Sequence, residues 1–219
     1  MKAIDHIIRP IKDEDIPEII EIDREAFGSD CLFPAYTRYG QGLYGSLSRY
    51  IVASLEKEIE SKTSEQDRQQ KLSWLKRPFM HSPFSAREKH RANTGHIIGF
   101  AGLWVMLSEA HISAIAVRND YRQRGIGEAL LISIIDIATQ LNTSVITLEV
   151  RASNSIAQRL YNIYGFHVVG RHPHYYSDNR EDALLMSTDT ITSAPFEVRF
   201  QRLKQAHRQK QQNILLMSS

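Results

Sequence analysis

Hydrophobic and polar positions follow two rhythms along this chain. Short alternating or wholly apolar runs predict strands at Ile7-Ile8-Arg9-Pro10, Tyr50-Ile51-Val52-Ala53, 97–105, 110–117, 145–150, 166–169 and 183–186. The first is expected to stop at its proline. Helical spacing links Ile16, Ile19, Ile20 and Ile22, behind a cap from Asp13 or Asp15 and with Pro17 in the first turn. It also links Leu130, Leu131, Ile134, Ile137, Ala138 and Leu141, predicting a helix over 127–141. A further helix, capped by Ser153 or Asn154, runs to Tyr164 and ends at Gly165 in the left-handed position. A short helical piece is expected over 42–49. Strands alternating with helices predict a mixed α/β sheet layered with helices.

Two segments interrupt this rhythm. Residues 56–94 are polar, with nine Lys/Arg against six Asp/Glu, and exceed ordinary loop length. They read as an insertion, either an exposed helix or partly disordered. The tail 189–219 carries five Lys/Arg against two Asp/Glu. Its Phe196, Val198, Phe200 and Leu203 are apolar enough to dock, while 201–212 reads as an exposed basic helix. The expected organisation is one domain over 1–188, interrupted by 56–94, with a basic C-terminal extension over 189–219.

Composition narrows the function classes. The chain has 219 residues, 42% hydrophobic and 24% charged, which suits a globular domain with a sizeable core. A formal charge of +2 argues against a dedicated nucleic-acid binder. The single cysteine, Cys31, excludes an intramolecular disulfide and a cysteine-cluster metal site, and no metal is expected. The most apolar run, 129–135, ends at Asp136 and is too short to cross a bilayer. Charged residues from Asp5 to Asp15 interrupt any signal-peptide core. A soluble, cytoplasmic protein with no membrane partner is the expectation.

The sharpest local signal is Arg122-Gln123-Arg124-Gly125-Ile126-Gly127, between a strand and an apolar helix. Glycines two apart let the backbone pass tightly, and the helix N-terminus adds free N–H donors and a positive dipole, which suits a diphosphate. Arg122 and Arg124 add charge at the rim. A turn shaped only for close packing is the plain alternative. The dinucleotide pattern Gly-x-Gly-x-x-Gly and the nucleotide-kinase phosphate loop are both absent.

With its flanks, 114–127 resembles the acetyl-CoA signature Arg/Gln-x-x-Gly-x-Gly/Ala of the GCN5-related N-acetyltransferases. Leu148-Glu149-Val150-Arg151-Ala152-Ser153-Asn154, Ala157, Leu160-Tyr161, Tyr164-Gly165-Phe166, Tyr175-Tyr176 and Asp178-x-Arg180-Glu181-Asp182-Ala183 resemble the ribosomal-protein N-terminal-alanine acetyltransferases within that superfamily. The resemblance implies a twisted mixed sheet whose strands 111–117 and 145–150 splay around acetyl-CoA. It implies that Ile115, Ala116 and Val117 border the pantetheine arm, and that Arg122, Gln123, Arg124, Gly125, Ile126 and Gly127 hold the diphosphate. Asn154 matches a cofactor contact, Glu149 the general base, and Tyr161 the general acid near the sulfur. Phe27, Glu109, Tyr175 and Tyr176 are implied on the acceptor side, with Asp178 and the stretch 36–44 as further candidates. The implied acceptor is a protein or peptide N-terminus, such as alanine on a ribosomal protein.

These residue types suit amide formation from a thioester. The attacking amine must lose a proton, which Glu149 accepts directly or through water if burial raises its pKa toward neutrality. The departing thiolate needs a proton, which Tyr161 supplies. Plainer roles are a solvent-facing Glu149, a Tyr161 that only packs and an Asn154 that only caps. His111 is either a water-linked proton relay or a polar edge histidine. Two other functions fit the cofactor motif: acetylation of a lysine or small amine, and an acetyl-CoA-responsive binding module without turnover. The insertion 56–94 is expected to modulate acceptor choice or partner binding.

Overall fold

A computed structural model describes residues 4–28, 48–55 and 95–217. Seven strands form one sheet: β1 (His6–Pro10), β2 (Ser48–Leu55), β3 (Ile97–Met106), β4 (Glu109–Val117), β5 (Val145–Arg151), β6 (Phe166–His172) and β7 (Ala183–Thr188). Their spatial order is β1-β2-β3-β4-β5-β7-β6, and only β4 and β5 run parallel. Among the described residues four α-helices cover it: α1 (Ile16–Phe27), α2 (Ile126–Gln140), α3 (Ser155–Ile163) and α4 (Ala194–Leu216).

The expected helix-layered mixed sheet is the one observed, with local corrections. Pro10 stays within β1, opposite Ile51, because an edge strand tolerates a residue that cannot donate. Asp15 precedes α1 but makes no side-chain cap bond. Its carboxylate instead accepts from Arg9 at 2.6 and 2.8 Å and from the Lys12 amide at 2.8 Å. Of the helix expected over 42–49, Ser48 and Arg49 belong to β2, paired with Trp104 and Leu103. The rest lies outside the described residues, as do the insertion 56–94, Cys31 and the stretch 36–44.

Two hydrophobic layers sandwich the sheet. On one face α2 buries Ile126, Leu130, Leu131, Ile134, Ile135 and Ala138 against Ile112, Ile146, Leu148 and Val150. Each buried Ile, Leu or Val side chain contributes roughly 1.5–3 kcal/mol. On the other face α1 lays Ile19 and Ile22 against Val52, Ile97, Phe100, Ala114 and Ala116.

The tail joins the first layer. Its helix begins at Ala194, earlier than the basic stretch suggested, and buries Phe196 and Phe200. Phe200 meets Tyr164 edge-on, with ring centroids 6.4 Å apart. Val198 remains exposed and His207 is buried, so the basic segment is not exposed throughout.

One irregularity positions the site. Gly102 pairs with Ala114 but Leu103 pairs with Ile112, leaving Ser113 as an extra residue in β4. Such a bulge inverts the side-chain phase. Ala110 and Ile112 join the α2 layer before it, whereas Ala114 and Ala116 join the α1 layer after it.

Candidate active site

The β4–β5 ladder runs from Glu109–Val145 to Ile112–Leu148 and ends there. Beyond it β5 continues against β7, with Glu149 opposite Leu185, while β4 continues along β3. The expected splay is therefore present, opening at the Ser113 bulge. Ile115 and Val117 follow on the diverging part of β4, half-buried against the α2 layer, and Ala116 faces the α1 layer. Ser113 Oγ is buried with no hydrogen-bond partner among the described residues.

At the end of β4 the chain turns into α2 through the predicted loop. Gln123 and Gly125 both adopt left-handed backbone, with φ of 59° and 84°. Arg122 Nε donates to the Val117 carbonyl at 3.1 Å, and an Arg124 guanidinium nitrogen donates to the Asp120 carbonyl at 2.8 Å. Both side chains thus brace the loop. Ala129 N–H donates to the Gly125 carbonyl, so the amides of 126–128 precede the first helical bond and keep their donors available. Gly127 is informative by its surroundings. A Cβ there would meet just Val117 Cγ2, at 3.8 Å, so no described neighbour requires a glycine. Among the described residues the space beside it is open.

At the mouth of the splay, alternation along β5 puts Thr147, Glu149 and Arg151 on the sheet face opposite α2. His111 shares that face. Its Nε2 stands 3.0 Å from Glu149 Oε2, its Nδ1 3.0 Å from Thr147 Oγ1, and its ring centroid 5.0 Å from that of Trp104. The Thr147 hydroxyl itself donates to the Ala110 carbonyl at 3.5 Å, so His111 bridges Thr147 and the carboxylate. Burial pushes the Glu149 pKa up, but the His111 contact and the charges of His111 and His172 outweigh it, leaving the carboxyl below its ordinary value. The expected shift toward neutrality is corrected: Glu149 is held ionised by the neighbouring histidines.

Tyr161 lies on α3, buried, its ring 5.7 Å from Phe166. Burial pushes its hydroxyl up to about 12. Asn154 is the cap of α3, its Oδ1 accepting from Ala157 N–H at 3.1 Å. Ser153 is not the cap. Gly165 takes the expected left-handed position, with φ of 93°.

The β6–β7 connection carries the two tyrosines. Tyr175 is exposed and meets Tyr176 edge-on, with centroids 5.2 Å apart. The Arg151 guanidinium stacks 3.8 Å above the Tyr176 ring. Burial, against the Arg151 charge, raises the Tyr176 hydroxyl pKa. Asp178, an expected attractor of basic acceptors, is instead engaged by Arg151 at 2.9 and 3.0 Å. Glu109 is exposed at the start of β4, two residues before His111. Phe27 closes α1 and packs in the α1 layer. The geometry therefore gathers Glu149, His111 and the Arg151–Tyr176 pair, with Glu109 and Phe27 further out.

The weight of His111 was hidden in the sequence. Its strand and face could be read, but its distance from Glu149 depends on the parallel register. Among the described residues, no group of His, Cys, Asp and Glu is arranged to hold a metal, and no helix is long and apolar enough to cross a membrane.

A splayed parallel pair above a glycine turn and helix N-terminus is the framework of an acyl-CoA-type transferase fold. The model of the acetyltransferase (GNAT) family matches residues 49–166, and the chain belongs to that family. It is an acetyltransferase. The [ribosomal protein bS18]-alanine N-acetyltransferase of Escherichia coli (strain K12) is 36% identical over 118 residues, covering 50% of this chain and 80% of that protein. The crystal structure of the ribosomal-protein-S18-alanine N-acetyltransferase from Escherichia coli superposes with a TM-score of 0.60 at 24% identity, covering 87% of this chain and 97% of that one. A GNAT family acetyltransferase from Elizabethkingia anophelis with acetyl-CoA bound gives 0.55 at 18% identity, covering 84% and 97%.

Proposed function

We propose that this chain transfers the acetyl group of acetyl-CoA to the α-amine of a protein N-terminus, with alanine of a ribosomal protein as the leading acceptor, in the cytoplasm. The observation that carries this reading is the splay between β4 and β5, with Glu149 and His111 at its mouth and the 122–127 loop at its foot. The relative from Escherichia coli, named for alanine acetylation of bS18, supports the acceptor class.

Acetyl-CoA fits the residues present. The open space beside Gly127 and the amides of 125–128 would hold the diphosphate. The β4 edge past Ile112 would meet the pantetheine, with Ile115, Ala116 and Val117 along it. When bound, the cofactor supplies an activated acyl group.

An N-terminal ammonium has a pKa of about 7.7–8.0, so part of the acceptor is neutral near pH 7.5. Its attack on the thioester carbonyl acidifies the nitrogen, and the ionised Glu149 takes the proton, directly or through water. His111, 3.0 Å from that carboxylate, orients it. Main-chain donors of β4 near the bulge stabilise the oxyanion. Tyr161 remains protonated at neutral pH and donates a hydrogen bond to the departing sulfur. Full transfer to a thiolate in water, with a pKa of about 8.5, is uphill by about 5 kcal/mol. The buried pocket narrows that gap by desolvating the thiolate as well. Tyr175 and Tyr176 flank the acceptor's first side chain.

Mass spectrometry of acetyl transfer to three peptides tests the reading: one beginning with alanine, the same peptide N-terminally blocked but containing lysine, and one beginning with a bulky residue. Acetyl on the free alanine terminus alone is expected. Modification of the blocked lysine peptide would move the assignment to a side-chain amine, and CoA binding without turnover on any peptide would make the chain a binding module.

A further inference from the structure

Helix α4 runs antiparallel to α2 and touches it turn by turn. Phe200 lies by Asp136 and Gln140 near the end of α2, and Lys204 forms an ion pair with Asp136. His207 Nδ1 stands 3.0 Å from Glu128 Oε2 in the first turn of α2, where Glu128 also accepts from the Tyr164 hydroxyl at 2.8 Å. One turn further, Gln211 Nε2 donates to the Arg124 carbonyl at 3.2 Å, inside the turn that precedes α2. Positions 200, 204, 207 and 211 form one helical stripe. Arg199 secures the other flank by donating to the Asn162 and Ile163 carbonyls at the end of α3, the helix that carries Tyr161.

We propose that Gln211 is a positioning residue for the donor's diphosphate: it holds the Arg124–Gly125 peptide so that the Gly125 N–H faces the ligand. This rests on the diphosphate reading of the loop given above. The carbonyl of residue 124 and the N–H of residue 125 belong to one planar trans peptide and point in opposite directions. A donor fixed on the carbonyl from the α4 side therefore turns the N–H to the side away from α4. Glycine at 125 makes such a restraint necessary, because a residue free to adopt either sign of φ lets its flanking peptide rotate at little cost. Gly125 also leaves the room: a Cβ there would strike Gln211 Nε2. Hydrogen bonding to the carbonyl further polarises the N–H opposite.

The test is Gln211→Met in the full chain. Methionine keeps length and helix propensity but removes the donor. The expected variant melts at the wild-type temperature and binds CoA about five- to tenfold more weakly, the worth of one hydrogen bond. Its kcat at saturating acetyl-CoA and its KM for the peptide stay unchanged. Acetyl-pantetheine, which has the thioester but no diphosphate, is used equally well by both proteins. Wild-type CoA affinity in the variant overturns the proposal, as does an equal loss with acetyl-pantetheine. Failure of the wild-type chain to bind CoA would instead remove the diphosphate reading of the loop on which the proposal stands.

Discussion

Leucine at position 127 separates cofactor binding from folding. Gly127 is the second residue of α2, and the atom nearest the place of a Cβ is 3.8 Å away. Glycine inside a helix is about 0.5–1 kcal/mol less favourable than alanine, and leucine is nearly as good a helix former as alanine. Gly127→Leu is therefore expected to match the wild type in urea unfolding or exceed it by up to about 1 kcal/mol. The side chain would fill the open space where the diphosphate is proposed to lie. Losing two charge-assisted hydrogen bonds, each worth about 1.5–3 kcal/mol, weakens CoA binding at least about 100-fold by calorimetric titration. Gly125→Ala should instead lose stability. Its φ of 84° costs a non-glycine residue about 1–2 kcal/mol, and the added methyl strikes Gln211. A Gly127→Leu protein that folds normally and binds CoA as tightly as the wild type would refute the placement of the diphosphate.

Glu149→Gln should retain its fold and CoA affinity while kcat falls by roughly 10²–10³ at neutral pH, and His111→Ala should reduce the same step; wild-type rates in both would exclude the pair. Because the folded Glu149 pKa lies below its ordinary value, its ionic contribution is present at neutral pH and is lost as pH falls through the folded value. A pH–rate profile rising between 6 and 8 would accordingly belong to the acceptor amine rather than to Glu149, and Glu149→Gln should not shift the midpoint of CoA binding. Tyr161→Phe should lower kcat by about tenfold or more with little change in melting temperature, since the ring still packs on Phe166. Glu181 is held down to about 2, first by the Ser153 side chain, then by the Ser153 amide, which donates to it at 2.6 Å, and also by Asn179 and Arg151. Its stabilisation is complete above the unfolded pKa and disappears as pH falls from about 4.5 toward 2. Glu181→Gln should cost about 1 kcal/mol at pH 7, after discounting for solvent screening, and nothing near pH 2 by chemical denaturation.

Much of the architecture was legible before any coordinates. The seven strands, three of the helices and the glycine turn were placed within a few residues, because period-two and period-3.6 patterns are local records of which face is buried. The cap at Asn154 and the stop at Gly165 were legible for the same reason. Reading failed where a side chain had a competing partner. Asp15 left its helix for Arg9, and Asp178 left the acceptor side for Arg151.

The chain's own order of residues determined the elements and the loop chemistry, since those depend on neighbours a few positions apart. Tertiary structure alone decided three things. The parallel register of β4 and β5 brought His111 to Glu149 and turned the carboxyl's pKa downward. The extra residue at Ser113 reversed the facing of β4 where it parts from β5. Docking of α4 carried Gln211 to the Arg124 carbonyl. Each joins groups far apart in the chain, and their distance is set by strand register and helix packing, which no local periodicity encodes.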